Sequence, residues 1–179
     1  MGTDGVWTRQ GGDPREEIPA GHGEKGVLGE YLDRYRMTLE LKCEGLTPDE
    51  LAARSVPPSN LSLLGLVRHL ARVEHSWTRR IFEGQTELPL LYRSEADPDL
   101  DFTEAVADDE IVADAWSTWR AEVEHARAVY ADVDLDAVFD VGDQRVEGRD
   151  IVVHLVEEYA RHVGHTDLLR ESIDGRTGV

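Results

Sequence analysis

The feature that most limits what this chain can fold into is the spacing of its apolar residues. They recur at three- and four-residue intervals in four long segments, and no sustained polar–apolar alternation appears. A 3.6-residue period puts such residues on one stripe of a helix, whereas a period of two would mark a half-buried strand. The first segment, about residues 24–44, carries Val27, Leu28, Tyr31, Leu32, Tyr35 and Leu39 and stops at Gly45. Thr47-Pro48-Asp49-Glu50 has the pattern of a capped start and predicts a short helical turn over about 48–54, before Val56-Pro57-Pro58 breaks the chain. The second segment, about 60–83 behind a Ser59 or Asn60 cap, aligns Leu63, Leu66, Leu70, Val73, Trp77 and Ile81. A third, about 103–132 and starting at Thr103, aligns Ile111, Ala115, Trp119, Val123, Ala126 and Tyr130. The fourth, about 149–171, aligns Ile151, Val152, Leu155, Tyr159, Val163, Thr166 and Leu169 and stops before Asp174-Gly175.

Four helices with one apolar stripe each bury those stripes most simply in an all-α four-helix bundle. Residues 1–23, broken by Gly and Pro, read as an irregular arm, and residues 24–176 as a single bundle domain. The connection at 84–102 holds Gly84, two prolines and a cluster of acids; structureless connections of that length are usually functional or mobile. Past the third helix, DLDAVFDVGDQRVEGRD is turn-rich with room for a short extended piece.

Charge narrows the function. With 19 Lys+Arg against 37 Asp+Glu, the formal charge is −18. That sign repels nucleic-acid phosphates and anionic lipid, so neither is an expected partner. The one cysteine, Cys43, permits no intrachain disulfide, and the N-terminal residues lack the pattern of a secretory signal. A cytoplasmic protein is expected.

Certain polar residues do not suit a plain core. On a wheel at 100° per residue, Glu158 and His162 fall within or at the margin of the fourth helix's apolar arc, one turn apart, with His154 and His165 flanking them. An i, i+4 pair of this kind can aim two donor atoms at one ion. The third donor must come from elsewhere, and His69 shares a face of the second helix with Leu66 and Val73. His75 is a weaker candidate, and His125 lies on a charged face. Interior histidines are commonly hydrogen-bonded core residues, and a Glu-x-x-x-His pair is commonly a surface ion pair. Spacing by itself therefore leaves both readings open.

The strings GLVRHLARVEHSW and HLVEEYARHVGHTDLLRESIDG resemble the two signature helices of the DinB/YfiT-like superfamily, within it an actinobacterial branch of small DinB-like domains. RYRMTLELKCEGLTPDELAARSVPPSNLSLLGLVRHL is similar to that branch's first helix and its passage into the second, so the resemblance spans about residues 24–176. It implies a bundle of up-down-down-up topology and a divalent metal, zinc first and nickel second, held by His69, Glu158 and His162. The Glu-x-x-x-His form is similar to the N-terminal domain of mycothiol-dependent maleylpyruvate isomerase. The second domain of those isomerases has no counterpart before Val179, so that isomerisation is not expected here.

The resemblance further implies a low-molecular-weight thiol of the mycothiol type as co-substrate. At a site with an open fourth position, that thiol would be activated for transfer to a small electrophile. His165 would orient a ligand or move a proton, and Arg161 would hold an anionic group or simply be solvated. Cys43 matches no ligand position and is expected to be structural. The alternatives are a non-catalytic metal- or ligand-binding bundle and a thiol-independent metal-assisted hydrolase. A homodimer is the default oligomer for such a chain.

Overall fold

In the computed structural model, which describes residues 12–178, the chain is mostly helical. After a 3-10 turn at Pro14–Glu17 come α1 (Gly23–Cys43), α2 (Pro48–Ala52) and α3 (Leu63–His75), the last running on into a π-helical turn at Ser76–Phe82. Then follow α4 (Leu100–Thr103), α5 (Asp109–Asp132), a hairpin of β1 (Val138–Val141) and β2 (Gln144–Glu147), and α6 (Gly148–Asp174). The part of the arm at residues 1–11 lies outside the described residues.

Local chemistry explains most boundaries. Thr47 and Glu50 form a reciprocal capping box at α2. Ser62 caps α3 by accepting from the Gly65 N–H. Gly45, at φ 77°, and Gly175, at φ 76°, take the left-handed conformation past the ends of α1 and α6. The third long helix differs from the sequence expectation. Thr103 closes α4 instead of opening α5, because Asp108 is the better cap: its Oδ1 accepts from the N–H groups of both Glu110 and Ile111.

Ion pairs along the helices fix their directions. Glu24 meets Arg149 at one end and Lys42 meets Asp167 at the other, so α1 and α6 run parallel. Asp33 meets Arg127 and Glu40 meets Arg120, so α5 runs antiparallel to α1. Trp77 lies on His154 and His69 on His162, so α3 is antiparallel to α6. The four long helices thus run up, down, down, up.

Helix α3 is the central element. Leu63, Leu64, Leu66, Val67, Leu70 and Ala71 are all fully buried, which no single stripe would require. At the opposite extreme, Val27 and Tyr31, placed on the apolar stripe by spacing, are 39% and 52% exposed. The first turns of α1 meet the end of α5 and the start of α6, Val27 and Tyr31 lie on their outward side, and the buried face begins at Leu32.

The core also contains a polar cluster to which all four long helices contribute. Arg36 of α1 donates through Nε and Nη2 to the two oxygens of Glu74 of α3, each at 2.8 Å. The Tyr159 hydroxyl of α6 donates to Glu74 Oε1 at 2.7 Å and accepts from Trp119 Nε1 of α5 at 2.9 Å. Glu74 and Tyr159 are completely buried. Burial would lower the Arg36 pKa, but the charge of Glu74 outweighs that and the net shift is upward. Burial, with Glu74 beside it, pushes the Tyr159 hydroxyl well above its ordinary value. Buried charge persists when it is paired and fully hydrogen-bonded, and such a cluster locks helix rotations that apolar packing leaves degenerate. It fixes Tyr159, and so sets where the adjacent Glu158 faces.

Candidate functional site

Three side chains from two helices meet where α3 packs against α6. His162 Nε2 lies 3.3 Å from Glu158 Oε2, and His69 Nε2 lies 3.7 Å from the same oxygen. The His69 and His162 ring centres are 4.6 Å apart. One donor atom from each of the three residues lies within 4.8 Å of the other two, and among the described residues no other group of three such side chains meets that condition. Antiparallel packing of α3 on α6 makes the convergence possible, and the one-turn spacing of Glu158 and His162 stacks two donors against the single one from α3.

The donors are preorganised. His69 Nε2 is buried and has no hydrogen-bond partner, which is unusual for a buried polar atom. Its other ring nitrogen, Nδ1, is 2.9 Å from Asp101 Oδ2. His162 Nδ1 is 3.3 Å from His165 Nδ1, so the outer nitrogen of this ring is also engaged. The close approach of His162 and then of His69 holds the Glu158 carboxyl well below the ordinary carboxylate range. Burial works against a charged His69, yet the Asp101 and Glu158 carboxylates beside the ring outweigh it and its pKa rises. Partial burial, then the neighbouring His162 and Arg161, lowers His165.

The remaining candidates separate clearly. His165 stands beside His162, and Arg161 is exposed on the same helix. His154 approaches Glu158 Oε1 at 3.4 Å and packs on Trp77. His75 is buried away from the cluster, bonded through Nε2 to the Pro89 carbonyl. His125 pairs with Glu83 at 2.8 Å. Cys43 is buried in the core, and burial pushes its thiol up to about 12.

What sequence reasoning missed lies in the connection after α3. Asp101 of α4 is completely buried. Arg68 donates to the carbonyls of Asp101 and Leu100, and Arg72 to that of Pro98, which pins this stretch along α3. Phe102 stacks on the His69 ring at 5.6 Å, and a Cβ at Gly65 would come within 2.6 Å of it. The cluster of acids around Asp101 disguised it as solvated. The one hint was its place between two apolar residues, Leu100 and Phe102.

Fold and site together define an all-α DinB-like bundle with a cluster of two histidines and a glutamate between two of its helices. The chain belongs to the mycothiol-S-transferase family, which it matches over residues 27–175. Among solved structures it is similar to the conserved protein of locus from Enterococcus faecalis. The TM-score is 0.62 and the identity 18%, and the match covers 84% of this chain and 96% of that one. At that identity the likeness concerns the fold. No curated protein matches the chain. No helix among the described residues is long and apolar enough to cross a membrane.

Proposed function

We propose that this chain is a metal-dependent S-transferase in which His69, Glu158 and His162 hold a divalent ion that activates a mycothiol-type thiol toward a small electrophile. The observation that carries the reading is the convergence of three donor atoms around the buried, unpartnered Nε2 of His69. Zinc bonds of about 2.0–2.2 Å in tetrahedral geometry put neighbouring donors roughly 3.3–3.5 Å apart. The separations of 3.3 and 3.7 Å at Glu158 are close to that spacing. Two imidazoles and a carboxylate suit zinc first and nickel second. Family membership supports the thiol.

When bound, such an ion lowers the pKa of a coordinated thiol and makes it a nucleophile near neutral pH. The thiol loses its proton, its sulfur forms a bond to the electrophilic carbon, and the leaving group departs with its bonding electrons. His165, lowered in pKa and beside His162, is suited to steady that ring and to accept the thiol proton. Arg161 supplies an exposed positive charge at the same end of the helix for an anionic group on either substrate.

The test is metal analysis of the purified chain beside a His69→Ala/Glu158→Ala/His162→Ala variant, coupled to consumption of monochlorobimane with several cellular thiols. One equivalent of metal and thiol-dependent turnover are expected in the parent alone. Equal metal content in the two proteins would refute the site. Metal without thiol-dependent turnover would reduce the chain to a binding module, and turnover without thiol would make it a hydrolase.

A further inference from the structure

We propose that Asp101 is a positioning residue: it holds the proton of His69 on Nδ1 and so keeps the Nε2 lone pair directed at Glu158 and His162. The inference rests on the reading of His69 as a metal ligand, but its main observable does not need the metal.

Two groups compete for one nitrogen of His69. His69 Nδ1 has Asp101 Oδ2 at 2.9 Å and Arg72 Nη2 at 3.0 Å. A guanidinium can only donate, and a carboxylate accepts, so the two neighbours favour opposite tautomers. With Asp101 present, Arg72 Nη2 is itself 2.6 Å from the same carboxylate oxygen. Both cationic and neutral N–H groups are then satisfied by one acceptor, and the His69 proton resides on Nδ1. Without Asp101, the nearest partner of Nδ1 is a donor. The ring then accepts at Nδ1 and carries its proton on Nε2, where it blocks ligation.

The carboxylate also pairs with Arg72, and its setting suits it to this task. Asp101 is fully buried, and its Oδ1 has no partner. A purely structural carboxylate in the interior would be expected to satisfy both oxygens. Its backbone is immobilised from α3 by Arg68, which donates to its carbonyl at 3.2 Å and to that of Leu100 at 2.9 Å. Phe102, stacked on the His69 ring, restrains the imidazole plane. Partners of this kind on the outer nitrogen of a ligating histidine typically change metal affinity by about 10–100-fold.

The experiment reads the His69 tautomer by 15N NMR of the metal-free protein and zinc affinity by competition with a chromophoric chelator. At alkaline pH, where the ring is neutral, the parent should carry the proton on Nδ1, because Asp101 Oδ2 at 2.9 Å is a nearer acceptor than Glu158 Oε2, 3.7 Å from Nε2. Asp101→Ala should move it to Nε2 and weaken zinc by about 10–100-fold, and Asp101→Ala/Arg72→Met should recover part of that loss because the competing donor is gone. Recovery alone would also follow from removing the unpaired Arg72 charge, so the shift of the proton from Nδ1 to Nε2 is the readout that a merely structural ion pair would not move. Should Asp101→Ala not fold, the near-isosteric Asp101→Asn carries the test, with a larger Nε2–H population and weaker zinc binding than the parent. A folded variant with the parent's tautomer and the parent's zinc affinity would overturn the proposal. If the parent binds no zinc, the metal reading falls, while the tautomer still decides the role of Asp101.

Discussion

Replacing Glu74 by Gln tests whether the buried polar cluster holds the bundle together. Arg36 is 4% exposed and Glu74 is 0% exposed. Both Glu74 oxygens accept from the guanidinium, so the new amide must turn its NH2 toward a donor. Arg36 keeps one counter-charge, Asp33 Oδ1 at 3.0 Å, which is partly exposed and shared with Arg127. Leaving a buried charge without its partner costs about 3–5 kcal/mol, and the retained Asp33 contact places the expectation toward the lower end. At roughly 2–4 °C per kcal/mol for a chain of this size, Tm should fall by about 6–12 °C. Thermal and urea unfolding followed by circular dichroism would measure it. The companion Arg36→Met/Glu74→Leu variant removes both charges, and exchanges of this type are often neutral or stabilising. It should regain part of the loss, since the buried Tyr159 hydroxyl then lacks its acceptor. A Glu74→Gln penalty under about 1 kcal/mol, or a double variant no better than the single one, would refute the assignment of Arg36 and Glu74 as a coupled pair.

Two further outcomes follow from titratable groups elsewhere in the fold. Cys43, buried and with its thiol pushed up to about 12, should resist iodoacetamide at neutral pH and react only in denaturant; rapid alkylation of the native protein would contradict its burial. Asp13, hydrogen-bonded by Arg15, Asp97, hydrogen-bonded by Thr103, and Asp174, where Arg170 outweighs burial, all lie below their ordinary value of 3.8. Their contribution to stability is complete above that value and is lost as pH falls through the lower folded values. Tm should therefore drop as pH goes from about 4 toward 3, and a flat acid limb would argue against these pairs.

Periodicity was enough to establish the helical class, the number of long helices and most of their boundaries, because an apolar stripe and its caps are local properties of a chain. His69, Glu158 and His162 were also within reach of sequence, two of them by one-turn spacing and the third by its place on an apolar face, with the family resemblance selecting among the histidines. What sequence left open depends on the environment that other helices create. Val27 and Tyr31 have the spacing of core residues, yet both lie on the outward side of α1 and are exposed. Arg36, Glu74 and Asp101 have the composition of surface residues, yet each is buried because a partner 29 or 38 residues away supplies the opposite charge. (Arg72 is 29 residues from Asp101, and Glu74 is 38 from Arg36.) Sequence thus determined which stripes each helix would bury. Only the tertiary structure decided which charges went in with them, since the cost of burying a charge depends on whether its partner arrives at hydrogen-bonding distance.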